Sequence, residues 1–126
     1  LLKPFSFYVR CFRLSDLFAG KMHALLFRKW QKRVKGRDWF DMEWYIRKGY
    51  ALNLNHFLSR AVDSGDWTQK SITESEFRDL LKVKIETVDF DRVKDDVEPF
   101  LKDMSVVSNW NKAYFHDLVD HLKIEI

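Results

Sequence analysis

Apolar residues recur along most of the chain at the three- and four-residue spacing of amphipathic helices. The pattern predicts five or six helices after Leu14. Their expected bounds are about Ser15 to Arg33, Arg37 to Lys48, Asn53 or Asn55 to Gly65, Thr73 to Thr87, Asp89 onward with an interruption at Pro99, and Ser108 to Leu122.

Short polar residues mark the predicted helix starts. Ser15, Asp89 and Ser108 are candidate N-caps, and Thr73 with Glu76 has the spacing of a capping box. Glycines mark the predicted ends: Gly36 and Gly49 are expected to stop the first and second helices.

Strand signals are few. Residues 5–12 are rich in β-forming residues and predict one strand, which would pair either with residues 123–126 or with a sheet outside this chain. The expected fold is therefore mainly α: a single helical domain over residues 1–126, with one or two short strands.

Composition supports a globular domain, since 46% of the 126 residues are hydrophobic and 16% are aromatic. The single cysteine, Cys11, excludes a disulfide framework and fits a cytoplasmic protein. No apolar run approaches the roughly 20 residues of a membrane span. The chain begins at Leu1 and not at Met, so a fragment of a longer protein is expected.

Charge divides the chain. Residues 1–50 hold 12 Lys or Arg against 4 Asp or Glu, whereas residues 51–126 hold 10 against 15. A basic half points to an anionic partner such as a nucleotide or RNA.

Two cations share one stripe of the first predicted helix. Lys21 and Arg28 lie two turns apart, about 20° from each other, on a helix that is apolar nearly all round. A helix of that kind is expected to be buried, and buried cations need anions.

The second predicted helix carries two acids, Asp38 and Asp41, on one face. A loop of about three residues predicts an antiparallel hairpin with Asp41 near the level of Arg28 or Lys29 and with Lys21 about 10 Å further along. A structural interpretation remains open, in which Arg28 pairs with Asp41 and the acids favour the helix dipole. Lys21 then lacks an opposing acid, as a lysine that binds phosphate would.

Two segments together resemble a known family. Asp16-Leu17-Phe18-Ala19-Gly20-Lys21-Met22-His23-Ala24-Leu25-Leu26-Phe27-Arg28 and Lys35-Gly36-Arg37-Asp38-Trp39-Phe40-Asp41 are similar to the "D-L-x-A-x-K-x-x-A-L-x-x-R" and "K-x-R-D-x-x-D" motifs of the AbiEii/AbiGii toxin-type nucleotidyltransferases. The similarity is dense from Leu14 to Gly49 and fades towards the C-terminus.

The resemblance implies the C-terminal part of a polymerase-β-like nucleotidyltransferase, which moves a nucleoside monophosphate from NTP to an acceptor such as RNA. It implies that Lys21 contacts the nucleotide phosphates, with Arg28 and Arg37 in support, and that Asp38 or Asp41 orients Lys21 or activates the acceptor. The implied Mg²⁺ would be held mainly by an N-terminal half that is absent here, so this fragment alone is expected to be inactive. A cognate antitoxin is a further implied partner.

Other candidate chemistry is weaker. The four histidines lack metal-ligand spacing, and His23 is expected to pack. Asp89-Phe90-Asp91 is expected to be a helix cap and not a metal motif. Four tryptophans are expected to lie in the core and not to stack bases. They are Trp30, Trp39, Trp44 and Trp110. Rival functions are a non-catalytic helical module that binds nucleic acid or protein, and a purely structural domain.

Overall fold

A computed structural model describes residues 13–27 and 36–126. Six α-helices and two strands lie in these ranges, which confirms the mainly α prediction. They are α1 (Leu14–Phe27), α2 (Gly36–Arg47), β1 (Ala51–Asn53), α3 (Leu54–Asp63), α4 (Glu74–Thr87), α5 (Phe90–Val97), α6 (Lys112–His121) and β2 (Lys123–Glu125). Two 3-10 helices, Glu98–Phe100 and Met104–Val107, separate α5 from α6.

Helix α1 lies at the centre and packs against α2, β1, α3 and α4. Phe18, Ala19, Met22 and Leu25 recur at helical spacing and are buried. The side of α1 that carries Leu17 and Lys21 is exposed. The prediction of a helix buried all round is therefore wrong, because the apolar residues on this second side have no cover among the described residues.

Strands β1 and β2 form a parallel pair in which Leu52 aligns with Ile124. Residues 123–126 were one of two alternatives for the partner of the predicted strand at residues 5–12, and Lys123–Glu125 is a strand. Its partner β1 was not anticipated, since three residues carry too little pattern to be recognised. The predicted strand at residues 5–12 lies outside the described residues.

Three predicted helix starts are confirmed. Asn53 accepts a hydrogen bond from the His56 amide at 3.1 Å and so caps α3. Thr73 and Glu76 form the reciprocal capping box of α4. The Asp89 side chain accepts from the Asp91 amide and so caps α5.

Two predicted caps are wrong. Ser15 lies inside α1, which already includes Leu14. Helix α6 is capped by Asn111, whose side chain accepts from the Tyr114 amide at 2.8 Å. Ser108 instead ends the preceding 3-10 helix, where its hydroxyl donates to the Ser105 carbonyl at 2.9 Å. Both serines satisfy the pattern of a cap, but tertiary packing places the first turn elsewhere.

Gly36 is the first residue of α2 and not the stop that was predicted. Its amide donates to Asp96 Oδ2 at 2.7 Å, so a carboxylate of α5 satisfies the start of α2. A Cβ at this position would lie 2.6 Å from the Val93 carbonyl oxygen. The close approach of α2 to α5 therefore requires glycine at position 36. This contact fixes the position of the first turn of α2, which carries Asp38.

Aromatic side chains hold α2 against α5 and α6. Trp39 makes edge contacts with Phe90 and Phe115, with ring centroids 5.2 and 5.1 Å away. Trp39 and Trp110 are buried, as predicted. The prediction is wrong for Trp44, which is 41% exposed. Trp30 lies outside the described residues.

Candidate functional site

Lys21 of α1 and Asp41 of α2 form an ion pair, with 2.8 Å between Nζ and Oδ2. One turn away, Phe18 stacks on Tyr45 with ring centroids 4.7 Å apart. Phe18 precedes Lys21 in α1, whereas its partner Tyr45 follows Asp41 in α2. The two helices are therefore antiparallel, as expected. The buried ring pair therefore sets the register that brings Lys21 to Asp41.

The expected register is corrected by these contacts. Lys21 was placed about 10 Å along the helix from the level of Asp41, which is wrong, because Lys21 Nζ lies 2.8 Å from Asp41 Oδ2. In both contacts the two residue numbers average about 31, whereas the predicted hairpin had a centre near residue 35. The reason is that packing of Phe18 on Tyr45, and not the assumed loop length, fixes how the helices align. Arg28 lies outside the described residues.

The ion pair is half-exposed. The side chains of Lys21 and Asp41 are 45% and 37% exposed. Lys21 is therefore neither buried nor without an opposing acid, and both expectations are corrected. An ammonium group has three donors, so a lysine with one carboxylate partner at the surface retains donors for an anion.

The two acids of α2 differ in environment. Asp38 is 6% exposed and lies in the first turn of α2. A carboxylate there is favourable at the positive end of the helix dipole. Asp41 lies one turn later at the surface. Asp41 is the acid whose ion pair with Lys21 joins the two helices.

Arg37 is exposed and borders the same region. Its Cζ lies 5.5 Å from the centroid of the Phe100 ring, a cation–π distance. Arg37, Asp41 and Phe100 all line a cavity of about 280 Å³. Phe100 was not predicted from the sequence, because an isolated Pro-Phe after a helix gives no motif.

Burial and charge act on the Tyr45 phenol beneath the ion pair. Burial raises the pKa of Tyr45, and the Lys21 charge opposes this effect. Tyr45 therefore stays protonated and neutral well above neutral pH. The Tyr45 ring therefore remains an uncharged neighbour of Lys21.

The histidines hold structural positions. His23 Nε2 lies 3.0 Å from Ser64 Oγ, and the His23 ring contacts Phe27 and Phe57. This confirms the predicted packing role of His23. Elsewhere, His116 pairs with Glu86 at 2.6 Å. Across residues 13–27 and 36–126, no group of three or more His, Cys, Asp or Glu is arranged to hold a metal ion.

A buried polar cluster supports α2 on its other side. Glu43 is 7% exposed and accepts hydrogen bonds from the Trp110 indole at 3.2 Å and from the Tyr114 hydroxyl. Burial, followed by the bond to Glu43, raises the pKa of Tyr114. Sequence reasoning missed this cluster because its members are about 70 residues apart.

Comparison with known proteins gives one match. The model of a family described as "Nucleotidyl transferase AbiEii toxin, Type IV TA system" matches residues 2–120. No curated protein and no solved structure matches the chain. Among the helices that the structure describes, none has the length and apolar character needed to cross a bilayer.

Proposed function

Because the chain belongs to the AbiEii nucleotidyl transferase toxin family, we propose that it takes part in transferring a nucleoside monophosphate from an NTP to an RNA acceptor. The observation that carries this proposal is the half-exposed Lys21–Asp41 pair at 2.8 Å. It joins the two motifs of the chain in one surface site. Lys21 belongs to the first motif and Asp41 to the second, so the pair exists only in the folded chain.

Lys21 is the group that we assign to the triphosphate. Phosphoryl transfer depends on positioned cations that meet the charge of the phosphate oxygens. An ammonium group suits this role as a compact charge with several donors. Its 45% exposure leaves room for an anion beside Asp41.

Asp41 is the acid that we assign to orienting Lys21, because it already contacts the Lys21 ammonium. Its remaining carboxylate oxygen is available to accept the proton of an acceptor hydroxyl. Asp38 supports this arrangement from the buried first turn of α2. Arg37, at the edge of the site, and Arg28 are proposed as further phosphate contacts.

Mg²⁺ would neutralise charge on the phosphates in this class of reaction. Among residues 13–27 and 36–126, no group of three or more His, Cys, Asp or Glu is arranged to hold a metal ion. We therefore assign no described residue to the metal and no step of the mechanism to it.

A protein partner follows from the same family. Its description names a type IV toxin–antitoxin system. We propose a cognate antitoxin as partner and the cytoplasm, where NTP and RNA are abundant, as the place of action.

Substitution in the full-length protein tests the proposal. Lys21→Ala and Asp41→Ala should each lower transfer of label from NTP to RNA by about 100-fold or more, the scale of a lost electrostatic contact in the transition state. Lys82→Ala and Asp120→Ala are matched controls, because these residues form another surface pair at 3.4 Å.

The outcomes separate the proposal from its rival. Full transfer by both site variants would remove Lys21 and Asp41 from the chemistry. A full-length protein that binds RNA in a salt-sensitive way but transfers no label would favour the non-catalytic binding module.

A further inference from the structure

A cavity of about 280 Å³ adjoins Asp41, and its apolar lining residues have no role in the proposed phosphate chemistry. It lies between α2 and the segment that follows α5. We call it the Phe100 pocket. Its lining residues are Arg37, Phe40, Asp41, Val97, Phe100 and Leu101.

The Phe100 side chain is held at the surface. It is 64% exposed at the end of the 3-10 helix Glu98–Phe100, in which Pro99 restricts the backbone. Burying a phenylalanine side chain is normally favourable by ~1.5–3 kcal/mol, so the exposed ring leaves apolar surface available to a ligand.

The floor of the Phe100 pocket is rigid. Val97 is 2% exposed, and Phe40 contacts the buried Trp110 with ring centroids 6.0 Å apart. Val97 also lies against Gly36 at the start of α2. One side of the pocket is therefore formed by the core of the domain, and Phe100 and Leu101 of the segment after α5 form the other.

The chemistry of the lining favours a flat aromatic ligand with a polar edge. Phe100 offers an aromatic face, and Arg37 places its guanidinium 5.5 Å from that ring. Aromatic rings and guanidinium planes are the groups on which nucleobases stack. Arg37 also supplies hydrogen-bond donors at the mouth of the pocket.

Asp41 connects the Phe100 pocket to the phosphate site. Its side chain lines the pocket and also holds Lys21 at 2.8 Å. A ligand in the pocket thus lies beside the group that we assign to the phosphates. Resting on the proposed function, we propose that the Phe100 pocket binds the nucleobase of one of the two nucleotide substrates, packed against the exposed Phe100 ring and the Arg37 guanidinium beside it.

Two sources of the base are compatible with this chemistry. The base belongs either to the incoming NTP or to the nucleotide at the reacting end of the RNA. Separate KM values for the NTP and for total cellular RNA distinguish them in the full-length protein. In either case, loss of the stacking ring should raise one KM by about tenfold and leave kcat within about twofold.

Three variants make the test specific. Phe100→Ala removes the ring, Phe100→Tyr retains an aromatic face, and Val106→Ala shortens another exposed apolar side chain that does not line the pocket. We expect the tenfold rise in one KM for Phe100→Ala only. A rise in the KM for NTP assigns the base to the incoming nucleotide, and a rise in the KM for RNA assigns it to the acceptor.

Other results would overturn the inference. Unchanged KM values in Phe100→Ala, or an equal change in Val106→Ala, exclude base binding at this pocket. Lys21→Ala is measured in the same experiment and reports on the proposed function alone. If it abolishes transfer while Phe100→Ala changes nothing, the proposed function stands and the nucleobase pocket fails.

Discussion

Lys21 donates to Asp41 at 2.8 Å across two antiparallel helices, and both side chains remain more than one-third exposed. A surface pair of this kind adds little to stability, typically ~0–1 kcal/mol. The importance of the pair therefore lies in the charged groups that it exposes at the surface. It holds the Lys21 ammonium against Asp41, whose side chain also lines the Phe100 pocket.

Removing the cation should leave the fold intact. We expect Lys21→Ala to change the free energy of unfolding by less than about 1 kcal/mol, because the pair is exposed and screened by solvent. Lys82→Ala should behave alike, since Lys82 pairs with Asp120 at similar exposure. Denaturant unfolding measures both. A loss of several kcal/mol at Lys21 alone would make the pair a structural element.

Gly36→Ala should destabilise the domain by about 1–3 kcal/mol, the usual cost of overpacking. The added Cβ would lie 2.6 Å from the Val93 carbonyl oxygen and 2.7 Å from Val97 Cγ1. Gly20→Ala is the control, because its Cβ would meet only the Arg60 side chain at 3.8 Å. In that helical position alanine should raise stability by about 0.5–1 kcal/mol. Equal effects at both glycines would contradict the close contact of α2 with α5.

The carboxylate of Asp96 should stabilise the start of α2. Asp96→Ala removes the acceptor of the Gly36 amide, which lies 2.7 Å from Oδ2, and should cost at least about 1 kcal/mol. The adjacent Asp95 is exposed, so Asp95→Ala should change the free energy of unfolding by less than about 0.5 kcal/mol. Thermal unfolding of the two variants checks the difference, and identical melting temperatures would rule out the cap.

Tyr114→Phe should show a pH-dependent effect. Near neutral pH it loses bonds to the buried Glu43 and to Arg47, at a cost of about 1–2 kcal/mol. Burial raises the pKa of Tyr114 in the folded state, so the folded protein holds this proton more tightly. The stability that the hydroxyl contributes is therefore full below its unfolded pKa of about 10 and is lost as pH rises through the folded pKa.

Denaturant unfolding at about pH 8 and about pH 11 measures this difference. The difference in the free energy of unfolding between the wild-type protein and Tyr114→Phe should be smaller at the higher pH. A gap that stays constant or widens would show that the proton is not held by this cluster.

Local signals in the sequence were sufficient for most helices, because caps such as Thr73 with Glu76 act within one turn. Contacts between distant residues were not predictable. The register of α1 against α2 depends on Phe18 and Tyr45, and the start of α2 depends on Asp96. The sequence therefore identified Lys21 and Asp41 as candidates, but only the packed structure shows that they touch.

The central claim is that Lys21 and Asp41 act as one unit in nucleotide transfer. A double-mutant cycle in the full-length protein, with Lys21→Ala, Asp41→Ala and the double variant, tests it through the rate of label transfer from NTP to RNA. We predict that each single variant loses about 100-fold or more and that the double variant is within about threefold of the slower single variant. Single effects that multiply in the double variant, or single variants with full transfer, would contradict the claim.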